Sequence, residues 1–147
     1  MAPNSVLIVE DEAGLRELYE DELKKAGFLV FAVGNGEEAL SVAAERQPSA
    51  IILDIMLPGM SGLDVLAKLR ATEATKATPV FLLTALEETD DRARGISLGA
   101  SEYLAKTEVS PALVIEKIKA AIGQPAPNTD NQPTPNTEPV NNDNGSS

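Results

Sequence analysis

Five short apolar runs divide the first 123 residues, and each is followed by a stretch with helical spacing. Val6-Leu7-Ile8-Val9 reads as a strand, and Leu15, Leu18, Tyr19 and Leu23 then recur as on a helix, with Gly27 as its stop. Phe28 to Val33 forms the second run, closed by Gly34-Asn35-Gly36 before a helix carrying Ala39, Leu40 and Ala43. Ala50 to Leu53 is the third, with Leu63, Leu66 and Leu69 marking the helix after it. Val80 to Leu83 precedes a more polar helix around Arg92 to Leu98. Tyr103-Leu104-Ala105 is a short fifth strand, and Ser110-Pro111 opens a last helix as N-cap and first-turn proline, with Ile115, Ile118 and Ile122 along one face. Consecutive parallel strands need a crossover, and a helix is the usual one. The alternation therefore predicts an α/β fold: a doubly wound, five-stranded parallel sheet of flavodoxin-like topology. Ligands of such sheets bind beyond the carboxyl ends of the strands, near the point where strand order reverses.

The residues that follow the runs are polar in a consistent way. Glu10, Asp11 and Glu12 come after the first, Asp54 ends the third, Thr84 the fourth and Lys106 the fifth. In a parallel sheet these groups converge on one edge. Clustered carboxylates repel one another and raise at least one pKa unless a cation sits among them. The chain has neither cysteine nor histidine, which removes thiolate and imidazole metal sites, Ser-His catalysis and phosphohistidine. A metal here would be a hard, oxygen-ligated ion such as Mg²⁺. Asp54 at the centre is the natural nucleophile, able to take a phosphoryl group as an acyl phosphate. Metal, ammonium and hydroxyl would then stabilise charge on the phosphoryl oxygens.

Taken singly, each residue has a plainer reading. Asp11 could N-cap the first helix, Asp54 before Pro58-Gly59 could initiate a turn, and Thr84 could cap a helix. Glu10 and Glu12 could be solvated charges, Lys106 could pair with any acid, and Tyr103 could be a rim aromatic. Their joint placement, each after a separate apolar run, is what structure alone does not call for.

The composition sets the remaining bounds. At 147 residues there is room for one domain and a short extension. With 43% hydrophobic but only 3% aromatic residues, the core must be aliphatic. The formal net charge of -11 is the wrong sign for holding phosphate backbones, so direct nucleic-acid binding is not expected. No apolar run approaches the roughly 20 residues of a membrane span, and "MAPNS" has no basic residue, so the expected location is cytoplasmic. Residues 124–147 hold five of the ten prolines, six asparagines and no Lys or Arg. Such a segment buries too little to offset the entropy of ordering it, so it reads as a disordered tail or linker after a domain at 1–123.

The motifs resemble the receiver domain of two-component response regulators from about Ser5 to Gly123. "VLIVEDE" is similar to that family's opening strand and acidic pair, and "LDIMLPGMSGLDVL" to its phosphoacceptor segment. "VFLLTA" resembles the strand carrying the hydroxyl, and "GISLGASEYLAK" the closing segment. The resemblance implies that Glu10 and Asp11 bind Mg²⁺, that Asp54 is both ligand and phosphorylation site, and that Met56 ligates through its backbone carbonyl. It implies that Thr84 and Lys106 contact the phosphoryl group and that Tyr103 is the aromatic switch. The family also places two variable side chains beside the path of the hydrolytic water. Here they are Met56 and Leu86, both apolar, which predicts slow self-dephosphorylation. The family's usual proline after the lysine is Thr107. A cis bond there would cost about 2.5–4 kcal/mol, so a trans bond is expected.

The implied function is that of a single-domain response regulator. It would promote only its own phosphorylation and dephosphorylation, and so is not an enzyme in the usual sense. Lacking histidine, it needs a partner histidine kinase or histidine phosphotransfer protein, or a small acyl phosphate, as donor. No effector follows residue 123, so the signal is expected to leave through a downstream protein contact or a relay. One rival, a haloacid dehalogenase-type phosphatase, needs a second aspartate two residues after the nucleophile, where Met56 stands, and an acid pair after the lysine. The other, a pseudo-receiver acting only as a binding module, would not need the full set of five residues.

Overall fold

The computed structural model describes residues 4–85 and 89–122. Five strands, β1 (Ser5–Val9), β2 (Leu29–Val33), β3 (Ala50–Asp54), β4 (Val80–Thr84) and β5 (Glu102–Ala105), form one sheet in the order β2-β1-β3-β4-β5. Every neighbouring pair is parallel. They alternate with α1 (Ala13–Lys25), α2 (Gly36–Arg46), α3 (Gly62–Ala71), α4 (Thr89–Ser97) and α5 (Pro111–Ile122). The chain winds from β1 outward to β2, then crosses back to β3 on the other side of β1. The reversal of strand order therefore lies between β1 and β3.

Both faces of the sheet are covered, which is why the central strands are apolar without alternation. Strand side chains alternate between faces. Val6, Ile8, Ile52, Phe81, Leu83 and Leu104 pack with Tyr19 and Leu23 of α1 and with Val114, Ile115 and Ile118 of α5. Leu7, Val9, Ile51, Leu53, Leu82 and Tyr103 face the other way, against Ala39 and Ala43 of α2 and Leu63, Val65, Leu66 and Leu69 of α3.

The helix starts follow the local sequence. Asn35 accepts from the Glu38 N–H at 2.9 Å, Ser61 from the Asp64 N–H at 3.3 Å and Ser110 from the Leu113 N–H at 3.2 Å. Gly27 takes a positive φ just after α1, as expected of its stop. One apolar assignment fails. Leu18 is 45% exposed, because neighbouring residues on a helix point about 100° apart and Tyr19 and Leu23 own the buried face. No described helix is long and apolar enough to cross a membrane.

Candidate functional site

The pleat explains how the site assembles. Glu10 lies two residues past Ile8, Asp54 two past Ile52 and Lys106 two past Leu104, and all three predecessors belong to the layer under α1 and α5. Strand parity therefore sends three polar side chains to the same side of the sheet at its carboxyl edge. Register aligns them along the chain axis: Val9 pairs with Leu53, Asp54 with Leu83, and Thr84 with Ala105. Glu10 and Asp54 thus flank the point where strand order reverses.

Lys106 joins the two acids. Its Nζ lies 2.9 Å from Asp54 Oδ2 and 2.8 Å from Glu10 Oε1. The first contact is a hydrogen bond. The second is close enough for an ion pair, yet Glu10 Oε1 is buried without a hydrogen-bond partner, so the ammonium approaches it out of line. Glu10 Oε2 accepts the Glu12 N–H at 3.1 Å, and Asp54 Oδ1 accepts the Met56 N–H at 3.0 Å. Burial pushes the Glu10 carboxyl above its ordinary pKa and Asp54 adds to the rise, while Lys106 and the Glu12 N–H oppose it. For Lys106 burial pulls downward, but the two carboxylates outweigh it and hold the ammonium above the usual lysine value.

Asp11 is exposed and completes the acidic group: carboxylate oxygens of Glu10, Asp11 and Asp54 lie within 4.8 Å of one another. An oxygen-only donor set around a buried, incompletely bonded Glu10 oxygen suits Mg²⁺. Asp11 is not a helix cap. Residue 12 holds that position, and no side chain caps α1 there. Asp54 does start a turn through its bond to Met56, and it does so from inside the cluster.

The other expected residues sort less tightly. Thr84 is buried at the end of β4, with the parity of Leu82 and Tyr103, so it belongs to the opposite layer. Its carbonyl accepts the Lys106 N–H at 2.8 Å, which ties the lysine's backbone to β4. Tyr103 is no rim aromatic: it is 4% exposed, with the Arg92 guanidinium 5.6 Å above its ring. The Met56 side chain is exposed, and Leu86 lies outside the described residues. There is no cis peptide among the described residues, so the bond to Thr107 is trans and Lys106 still reaches both acids. Two neighbours of the site had no role assigned from the sequence, although Gly62 lies inside the "LDIMLPGMSGLDVL" segment. Arg16 donates to the Glu10 carbonyl, and Gly62 backs directly onto the Asp54 backbone.

A doubly wound sheet with an acidic pocket and a lysine at its carboxyl edge defines a class of small signalling modules. The response regulator receiver domain family matches residues 6–119, and the chain belongs to it. It is 35% identical over 133 residues to the phosphate regulon transcriptional regulatory protein PhoB of Pseudomonas aeruginosa, a match covering 90% of this chain and 58% of that protein. The chain spans about half the length of the curated relatives it matches. Vibrio cholerae chemotaxis protein CheY4 superimposes with a TM-score of 0.75 at 28% identity, over 81% of this chain and 98% of that one. The receiver domain of sensor histidine kinase PA1611 from Pseudomonas aeruginosa, at 29% identity and a TM-score of 0.75, covers 84% of this chain and all of its own. That structure has a magnesium ion coordinated in its active site cleft. Receiver domains are signalling domains of two-component systems, phosphorylated by histidine kinases, and not enzymes with a turnover substrate. Because PhoB is a transcriptional regulatory protein, the expectation of no nucleic-acid contact rests on the charge of this chain alone.

Proposed function

We propose that this chain is a phosphoryl-accepting switch, modified on Asp54 by a histidine kinase or histidine phosphotransfer protein and read out through protein contacts. The observation that carries the proposal is the contact of Lys106 Nζ with Asp54 Oδ2 at 2.9 Å, beside the acids Glu10 and Asp11. One Asp54 oxygen attacks phosphorus in line. The O–P bond forms as the donor's N–P bond breaks, and the donor imidazole leaves with that electron pair. Lys106 follows the charge onto the phosphoryl oxygens, and the Thr84 hydroxyl donates to them. Glu10, Asp11, Asp54 and the Met56 carbonyl would hold Mg²⁺, which when bound offsets negative charge on the phosphoryl oxygens. Tyr103 would report the change at Thr84 to the α4 face, since both share one parity of the sheet.

The modified state is long-lived in this reading. A hydrolytic water needs a polar side chain to orient it, and Met56 offers only a thioether. The test is mass spectrometry after incubation with acetyl phosphate and Mg²⁺. Wild type should gain about 80 Da, one phosphoryl group, and Asp54→Ala should gain nothing. The modified protein should persist for minutes or longer. Equal incorporation by the mutant overturns the acceptor assignment, and decay within seconds overturns the slow-hydrolysis reading.

A further inference from the structure

Backbone pairing between β1 and β2 reaches one residue past β1, where the Glu10 N–H donates to the Val33 carbonyl at 3.1 Å. The Glu10 carbonyl accepts instead from a side chain. Arg16, the fourth residue of α1, turns back toward the helix start, as helical side chains do. Its Nη1 lies 2.8 Å from Glu10 O and 3.5 Å from Asp11 O. Gly34, directly after β2, leaves the room for it. A Cβ at that position would stand 3.3 Å from Arg16 Nη1 and 3.9 Å from Glu10 O.

Consecutive side chains on an extended segment point to opposite sides, so bringing the Glu10 and Asp11 carboxylates to one locus requires the chain to bend. It bends at Asp11 and Glu12. Glu10 Oε2 braces that bend from inside through the Glu12 N–H, and Arg16 braces it from outside through the two carbonyls. We propose that Arg16 is a positioning residue for the metal site, fixing the turn that aims both carboxylates, with Gly34 shaped to admit its guanidinium. This rests on reading Glu10 and Asp11 as Mg²⁺ ligands. Charge and geometry make opposite demands at this residue. As a bare cation Arg16 would repel Mg²⁺ and weaken its binding; as a clamp it strengthens it. The sign of the mutational effect therefore separates the two roles.

Titration calorimetry of the full chain with MgCl₂ reads that sign, paired with melting in EDTA. Arg16→Gln and Arg16→Lys should both weaken Mg²⁺ binding about tenfold, the scale of outer-shell partners of metal ligands, while melting in EDTA stays near wild type. Arg16→Lys keeps the charge, but its Nζ lies one bond closer to the backbone than Nη1, the one nitrogen that meets both carbonyls, so it should not rescue. Gly34→Ala, whose Cβ would stand 3.3 Å from Nη1 and so shift the guanidinium by a few tenths of an ångström, should weaken binding by a smaller factor. Equal or tighter binding in both Arg16 variants overturns the clamp. So does a loss of affinity that only follows a loss of melting temperature in EDTA. Should the Arg16 variants not fold, Gly34→Ala decides: weaker binding supports the clamp and unchanged binding overturns it. Asp11→Ala separates the two readings. If wild type binds and that variant does not, a negative Arg16 result falls on the clamp alone. If wild type does not bind, or Asp11→Ala binds as well, the ligand assignment falls and the clamp with it.

Discussion

Tyr19 is the one buried residue of α1 with a polar end. Burial pushes its phenol up to about 12; Glu10 adds to the rise and Lys106 opposes it, so the ring senses the electrostatics of the site. An unfolded chain would ionise this phenol near pH 10. Between those values the folded state holds a proton that the unfolded state has lost. The contribution to stability is thus complete below about pH 10 and disappears as pH rises toward 12. Melting temperature should fall more steeply over that range in wild type than in Tyr19→Phe. Parallel slopes in the two proteins would show that the phenol is not the group responsible. Arg16 escaped the sequence reading because its partners are backbone carbonyls just before the helix, and no spacing marks a side chain that folds back on a carbonyl.

At the scale of elements, the strands were legible to within a residue, because a run apolar on both faces is buried whichever way it faces. The polar groups that gather at the carboxyl edge were legible for the same reason: Asp54 is conspicuous after Ala50-Ile51-Ile52-Leu53. What could not be read was close approach. Gly62 opens α3 by donating its N–H to Ile55 O at 2.8 Å, and a Cβ there would stand 2.7 Å from Ile55 Cα and against the Asp54 carbonyl. Backbone cannot yield as a side-chain tip can. Gly62→Ala must therefore shift either α3 or the Asp54 backbone, at a cost of roughly 1–3 kcal/mol. Urea unfolding should show that loss, and phosphorylation by acetyl phosphate should slow beyond what reduced folding explains. Wild-type rates from the folded fraction would mean that α3 moves and Asp54 does not. The apolar spacing of α1 misled at Leu18 because four leucine-like positions define a stripe only when their angles agree.

At the scale of the molecule, strand order was a deduction from handedness rather than a reading of residues, and β2-β1-β3-β4-β5 is the order that deduction favours. Residues 123–147 lie outside the described structure, and their composition carries the expectation that they take no part in the chemistry. A chain ending at Gly123 should melt as the full chain does and accept phosphoryl groups at the same rate. A marked loss of either would show that the removed segment packs on the domain. The order of the strands also has a temporal side. Glu10, Asp11, Asp54 and Thr84 are all translated before Lys106, which arrives with the final strand and lies 52 residues from the carboxylate it pairs with. A polypeptide paused on the ribosome before β5 holds every acid of the pocket but not the lysine that pairs with Glu10 and Asp54. Sinking those acids into a partial sheet would leave buried charge uncompensated. A partial sheet therefore lacks the ammonium that compensates Glu10 and Asp54, and the buried pair is neutralised only once β5 has been added.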